Sequence, residues 1–427
     1  MEISKIGVIG GGSSYTPELI EGIISQASHL QVKEMVLMDI DPRRLEIVGA
    51  LATRMVNKVG LPTEIALSSS LEQTLEGANF VITQVRVGGI AGRILDEKIP
   101  LAYGLIGQET TGPGGFSLAL RTIPVVQKIA EELSRRSPDA WLINFTNPSG
   151  LITEAVRRSS PIKVVGLCNG PISMRKYVAH LMGLPAKDLY IRTIGLNHLN
   201  WADQILGQGE NLLSQVIQTI SCHPELIDTG YFPFAPDLLQ SLQLLPCAYL
   251  QYYYNREEKL DELKKATKTR GEEVAELDRR LLLKYADSNL EEKPKELEAR
   301  GGIWYSEAAI ELISSIVNDK GDIHTLNVVN NGAILDLPED AVVEIPCLVR
   351  REAVYPLSVG RLPLAVRGLV QAVKSYEQLT IEAALEGSYS KALQALLAHP
   401  LVPSFGLAKQ VLDAFLGAQK DYLRQFG

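Results

Sequence analysis

The chain opens with an apolar run, Ile6-Gly7-Val8-Ile9, that passes directly into Gly10-Gly11-Gly12-Ser13-Ser14 and then into Thr16-Pro17. A buried strand feeding a glycine loop and a helix start is the first half of a βαβ unit. In such a unit the glycines give a tight turn and the helix N-terminus faces an anion. Thr16 reads as the N-cap and Pro17 as the first helical residue. Further short runs rich in Val, Ile and Leu follow at Glu34–Asp39, Asn79–Val85, Ala140–Thr146 and Lys163–Cys168. Helical periodicity lies between them, as in Arg43–Val59 and Leu118–Arg136. The alternation predicts an α/β fold whose N-terminal part is a doubly wound, Rossmann-type parallel sheet.

At 427 residues the chain is too long for one ordinary domain. The pattern changes near Cys168, so we expect a dinucleotide-binding domain over 1–168 and a second, α+β domain over 169–427. In the second, Ile191–Leu196 and Leu199–Leu206 look like strands, and long helical stretches take over beyond them. Asn255–Glu298 interleaves Lys and Arg with Asp and Glu, the pattern of a solvated helical pair. A net charge of −8 argues against nucleic acid or an acidic membrane as partner, though one cleft can still be basic. No run approaches the roughly 18 uncharged apolar residues of a membrane span, and the N-terminus lacks the apolar core of a signal peptide. The cysteines Cys168, Cys222, Cys247 and Cys347 form no CxxC pair, which fits reduced thiols in a cytoplasm.

Gly10 and Gly12 supply the close backbone approach a pyrophosphate needs, with Gly11, Ser13 and Ser14 completing the loop. Tyr15 stands where the usual fingerprint has its third glycine, so a purely structural turn would explain the loop as well. Asp39 ends the next apolar run, where a carboxylate bonds ribose hydroxyls and favours NAD over NADP. Its plain alternative is a turn residue before Asp41-Pro42.

In a doubly wound sheet, ligands collect beyond the carboxyl ends of the strands. Asn144-Phe145-Thr146-Asn147-Pro148 and Cys168-Asn169 both lie at such ends, and His198 follows a third strand. A Cys–His metal pair is therefore geometrically plausible, although a lone Cys closing a strand is usually core and a lone His a surface group. Arg86 and Arg93 follow the Asn79–Val85 run and offer guanidinium groups suited to a phosphate. The segment from Gly107 to Gly115 is too rich in Gly and Thr for a mere connector and should wrap a ligand. Tyr249, Tyr252, Tyr253 and Tyr254 are core residues on the ordinary reading, yet a tyrosine beside a metal can act as a base.

On these segments the chain resembles glycoside hydrolase family 4, and within it the members acting on 6-phospho-β-glucosides. The matching strings are GVIGGGSSYTPEL, YGLIGQETTGPGGF, NFTNPSG, GLCNGPI, GLNHLNW, YLQYYY and NNGAILDLPEDAVVEIPC, and the tail TIEAALEGSYSKALQALLAHPLV also fits. The resemblance implies a second domain similar to that of lactate and malate dehydrogenases, and a homodimer or homotetramer. It implies Cys168 and His198 as ligands of a divalent metal, usually Mn²⁺, and Tyr249 as catalytic base. Arg93, Asn147, Asn169 and Arg270 match substrate-binding positions. Members acting on α-linked substrates carry Asp after the Cys; Asn169 is neutral, which favours a β-linked substrate and leaves the leaving-group acid unidentified.

The resemblance also implies a mechanism unlike that of two-carboxylate glycosidases. NAD⁺ takes hydride from C3 of a phosphorylated sugar, Tyr249 removes the acidified C2 proton, the C1–O bond breaks by elimination, water adds and the hydride returns. Mn²⁺ is hard and a thiolate soft, so substrate oxygens and water would have to complete its shell. Two rivals remain on the sequence. A 2-hydroxy acid dehydrogenase would need a His–Asp relay, for which Asp203 is available near His198. A non-catalytic NAD-sensing regulator would have no use for the metal pair or Tyr249.

Overall fold

A computed structural model describes residues 2–223, 232–301 and 304–427. Nine strands form its larger sheet among these residues. The parallel part comprises β1 (Glu2–Ile9), β2 (Gln31–Met38), β3 (Glu64–Ser68), β4 (Phe80–Thr83), β5 (Trp141–Asn144) and β6 (Lys163–Gly166). Their spatial order is 3-2-1-4-5-6, the doubly wound arrangement expected from the sequence. β4 and β5 are buried along their whole length, as strands covered by helices on both faces must be. The strand order reverses between β1 and β4, and that switch point opens the crevice at the end of β1.

The second half holds a smaller antiparallel sheet: β7 (Tyr190–Leu196), β8 (Leu199–Gly207), β9 (Glu210–Asn211) and β10 (Leu245–Pro246). The helical expectation beyond residue 207 is incomplete. β11 (Ile323–Val329), β12 (Val342–Val349) and β13 (Val354–Pro356) return to the larger sheet and extend it antiparallel from β6. The larger sheet thus runs across the division expected at residue 168. The charged stretch does form a helical pair, Arg256–Lys265 and Arg270–Tyr285. No described helix is long and apolar enough to cross a membrane, and the four cysteines are unbridged.

The first helix, Thr16–Ser25, corrects one local expectation. Tyr15 occupies the N-cap position, Thr16 is already helical and Pro17 follows it in the first turn. The Thr16 hydroxyl donates to the Gly11 carbonyl at 2.8 Å instead of capping the helix. It braces the glycine loop from within.

Candidate active site

The loop after β1 is shaped by what its neighbours leave free. A Cβ on Gly11 would lie 2.7 Å from Leu37 Cβ and 2.9 Å from Met38 N, and Gly10 has φ +89° with Gln84 O in the way. Only glycine fits either position. Gly10 and Gly11 N–H both donate to Met38 O, at 2.9 and 2.7 Å. The Gly12 N–H donates to Asp39 Oδ2 at 2.9 Å, and Asp41 N–H donates to Asp39 Oδ1 at 3.0 Å. Asp39 therefore stands at the end of β2, facing the loop, and also serves the turn role weighed as its alternative. Ser13 and Ser14 follow; the Ser14 hydroxyl donates to Asp278 Oδ1 at 2.7 Å.

Asp278 comes from the Arg270–Tyr285 helix, and sequence reading missed it. It is buried and paired with Arg44 at 2.7 Å and Arg300 at 3.4 Å, which hold its carboxyl below the usual range although burial pushes it up. Arg300 lies with its guanidinium 4.1 Å from the centre of the Tyr15 ring. Its Nε and Nη1 have no hydrogen-bond partner among the described residues. Its position beside the glycine loop depends on tertiary packing alone, and no motif in the sequence marks it.

Cys168 and His198 come together. Sγ of Cys168 lies 3.4 Å from Nε2 of His198, and the other ring nitrogen is 3.0 Å from the Thr110 hydroxyl. The ring of Tyr249 stacks on the His198 imidazole, with centroids 3.7 Å apart and planes inclined by 8°. Cys168 is delivered by the end of β6, His198 by the turn between β7 and β8, and Tyr249 by the short helix Ala248–Leu250 after β10. Burial pushes the Cys168 thiol and the Tyr249 phenol up from their ordinary values, and the His198 imidazole down to about 4.

The separation of the pair fits a shared metal ion. Zinc-like bonds of about 2.3 Å to sulfur and about 2.0 Å to nitrogen, meeting at roughly 90–110°, place the two donors about 3.1–3.6 Å apart. Among the described residues no cluster of three or more His, Cys, Asp or Glu forms a metal site. Two donors with an open remainder suit an ion whose other ligands are substrate oxygens and water.

An arginine-rich cluster adjoins this pair. Glu109 forms ion pairs with Arg86 at 2.5 Å and Arg93 at 2.9 Å, and Arg93 Nε donates to Glu97 Oε1 at 2.8 Å. Burial alone would raise the Glu109 carboxyl, yet Arg86 and Arg93 hold it below the ordinary carboxylate range. Glu109 and Thr110 belong to the Gly- and Thr-rich segment, so that segment touches both the arginines and His198. Arg86 and Arg93, the guanidinium groups expected to suit a phosphate, are each paired with Glu109 here.

The remaining residues lie around this centre. Asn169 is the N-cap of the Gly170–Met182 helix, with its Oδ1 3.9 Å from the Cys168 sulfur. Asn147 is half-buried in the loop after β5. Arg270 stands next to the arginine cluster, since the Gly271 N–H donates to Glu97 Oε2 at 2.7 Å. Its own guanidinium, half-exposed, is engaged by Glu273 at 2.9 Å and the Ala299 carbonyl at 2.7 Å. The relay required by a 2-hydroxy acid dehydrogenase is not built: Arg192 holds Asp203 through two bonds of 2.8 and 2.7 Å, and His198 turns to Thr110.

Two family models match this chain: family 4 glycosyl hydrolase over residues 5–184, and the family 4 glycosyl hydrolase C-terminal domain over residues 193–402. The chain belongs to family 4 of the glycosyl hydrolases. A Bacillus subtilis protein named "Probable 6-phospho-beta-glucosidase" is 46% identical over 431 residues, covering 99% of this chain and 98% of the relative. The 6-phospho-β-glucosidase of Thermotoga maritima, solved with manganese, NAD⁺ and glucose 6-phosphate, superposes with a TM-score of 0.90. It is 39% identical, and the match covers 98% of this chain and 99% of that one. A metagenomic lactate dehydrogenase, 13% identical, aligns with a TM-score of 0.57 over 90% of this chain and 100% of its own, a likeness of fold alone.

Proposed function

We propose that this chain hydrolyses 6-phospho-β-glucosides to glucose 6-phosphate and an alcohol, with NAD⁺ and a divalent metal, usually Mn²⁺, as cofactors. The observation that carries the reading is Tyr249 stacked on His198, with the Cys168 sulfur 3.4 Å from the same imidazole, beyond the end of β6. The family match and the glycine loop support it.

When bound, NAD⁺ supplies a hydride acceptor for C3 of the sugar and the divalent ion polarises the neighbouring oxygens. The chain's own residues do the rest. Gly10, Gly11, Gly12, Ser13 and Ser14 receive the dinucleotide pyrophosphate, and Asp39 the ribose. Cys168 and His198 hold the ion, and Thr110 fixes the ring orientation of His198. Tyr249 takes the proton from C2. Arg93 faces the 6-phosphate, with Asn147, Asn169 and Arg270 around the sugar. A neutral Asn169 has no carboxyl proton to give a leaving group, which suits a β-linked substrate.

We divide the chain into a NAD-binding domain, 1–168, and a domain completing the site, 169–427. The same reading makes the protein a cytoplasmic homodimer or homotetramer, testable by light scattering after gel filtration. The activity is tested with a panel of aryl glycosides, α and β, with and without a 6-phosphate, assayed with NAD⁺ and Mn²⁺. Turnover of the phosphorylated β-glycoside without net NADH is the expected result. Full activity in metal-free, NAD-stripped protein, or stoichiometric NADH with a hydroxy acid, would refute it.

A further inference from the structure

Glu344 lies on β12 with 1% of its surface exposed. Its cross-strand neighbour on β11 is Asn327, which in turn pairs with Gly166, two residues before Cys168. A buried carboxylate is costly unless its oxygens are satisfied, and here three amides satisfy them. Asn197 Nδ2 and Asn327 Nδ2 donate to Oε1, each at 3.0 Å, and Asn200 Nδ2 donates to Oε2. The other buried acids of the site are paired with arginine: Glu109 with Arg86 and Arg93, Asp278 with Arg44 and Arg300. Glu344 forms no ion pair among the described residues.

Two of its three donors flank His198. Asn197 belongs to the β7–β8 turn, in which His198 has φ +61°, and Asn200 to the start of β8. A side-chain-bearing residue keeps that conformation only where its surroundings over-determine it. The His198 ring carried by that turn lies 3.4 Å from the Cys168 sulfur. The amides thus tie the carboxylate to the turn that brings His198 to Cys168.

We propose that Glu344 is a positioning residue for the metal, anchoring His198 beside Cys168 through Asn197 and Asn200. This rests on the reading of that pair as metal ligands. Burial pushes the Glu344 carboxyl up to about 7 and the three amides hold it down, so the anchor acts through its oxygens as hydrogen-bond acceptors. The proposed mechanism makes no use of Glu344.

The test is Mn²⁺ affinity, read from the electron paramagnetic resonance of the free ion, alongside NAD⁺ affinity and the melting temperature. Glu344→Gln replaces one acceptor by an amide that faces asparagine donors. It should weaken Mn²⁺ binding about 10- to 100-fold, the range for losing an outer-shell partner. NAD⁺ affinity should stay within about twofold, and excess Mn²⁺ should restore turnover. Glu344→Asp, which keeps both acceptor oxygens, should recover part of the loss. Asn197→Ala, at a half-buried turn position, should weaken Mn²⁺ binding to a similar degree and decides the matter if Glu344→Gln does not fold. Unchanged Mn²⁺ affinity in the variant that folds would overturn the proposal. So would equal losses of Mn²⁺ and NAD⁺ with a lowered melting temperature, which mark a purely structural acid. Cys168→Ser is the control: if it leaves Mn²⁺ binding intact, the metal reading itself fails and this proposal with it. If it abolishes binding while Glu344→Gln does nothing, only the anchor is wrong.

Discussion

Replacing Arg93 by alanine gives the sharpest test of phosphate recognition, because the structure limits what the side chain has left to offer. Its Nε is committed to Glu97 at 2.8 Å and its Nη1 to Glu109 at 2.9 Å. Three of its five N–H groups remain, one on Nη1 and two on Nη2, enough for one or two charge-assisted hydrogen bonds to a 6-phosphate. Each contributes about 1.5–3 kcal/mol, so one bond corresponds to roughly a 10- to 150-fold loss in kcat/KM and two to about 10²- to 10⁴-fold. The fold should survive, since Glu97 keeps the Gly271 N–H at 2.7 Å and Glu109 keeps Arg86 at 2.5 Å. The assay compares kcat/KM for 4-nitrophenyl β-glucoside 6-phosphate with that for the unphosphorylated glycoside, at saturating NAD⁺ and Mn²⁺. The variant should lose on the phosphorylated substrate and change less than about twofold on the other. Equal losses on both would show that Arg93 only braces Glu97 and Glu109. A loss of less than about 10-fold on the phosphorylated substrate would show that Arg93 makes no charge-assisted bond to the 6-phosphate.

Cys168→Ser and His198→Ala should each weaken Mn²⁺ binding by more than about 100-fold, exceeding the loss from an outer-shell partner; equilibrium dialysis with elemental analysis checks it, with NAD⁺ affinity as the unchanged control. Tyr249→Phe should retain both cofactors yet suppress deuterium uptake at C2 of product formed in D₂O, followed by mass spectrometry; wild-type product without label would remove the elimination step. Lys374→Met should cost about 3–5 kcal/mol of stability, because Lys374 is buried against Glu154 at 2.7 Å and also pairs with Glu377. Burial raises the Glu377 carboxyl, so that group stabilises the fold below its unfolded value and loses the contribution as pH rises. The variant's deficit in thermal unfolding should therefore be larger near about pH 8 than near about pH 5.

What the sequence reveals depends on whether a feature is local. Five of the six parallel strands were legible because each carries a run of buried apolar residues, and the glycine loop because its constraint is the backbone itself. β3 was missed: Glu64–Ser68 is partly exposed along its length, so it lacks the apolar run that marks β4 or β5. β12 could have been found, since Val342–Val349 is almost entirely buried and rich in Val and Ile. With β11 it falls in the region beyond residue 207 where long helical stretches are expected from the sequence. In the site, Cys168 and His198 were legible as strand-end residues of the right chemistry. Asp278 and Arg300 were not, because their partners lie 264 and 285 residues away in the chain, and Thr110 was marked only within the Gly- and Thr-rich segment, its partner His198 lying 88 residues on.

The location of the candidate site follows from the way the second half returns to the first. Left alone, β6 would be an unpaired sheet edge next to the strand end that carries Cys168. β11 covers that edge, touching it through Asn327 and Gly166, and β12 follows beyond β11. This lays Glu344 where the β7–β8 turn must come down onto it, and the turn brings His198 to Cys168. The Tyr249 ring then reaches His198 because β10 pairs with β8, Pro246 opposite Trp201, three residues from each end of the stacked pair. The glycine loop, by contrast, is fixed within the first half by β1, β2 and Gln84, apart from Asp278 and Arg300. Substitutions around the β7–β8 turn should consequently alter metal and sugar handling before they disturb NAD⁺, whereas those at Asp278 should do the reverse.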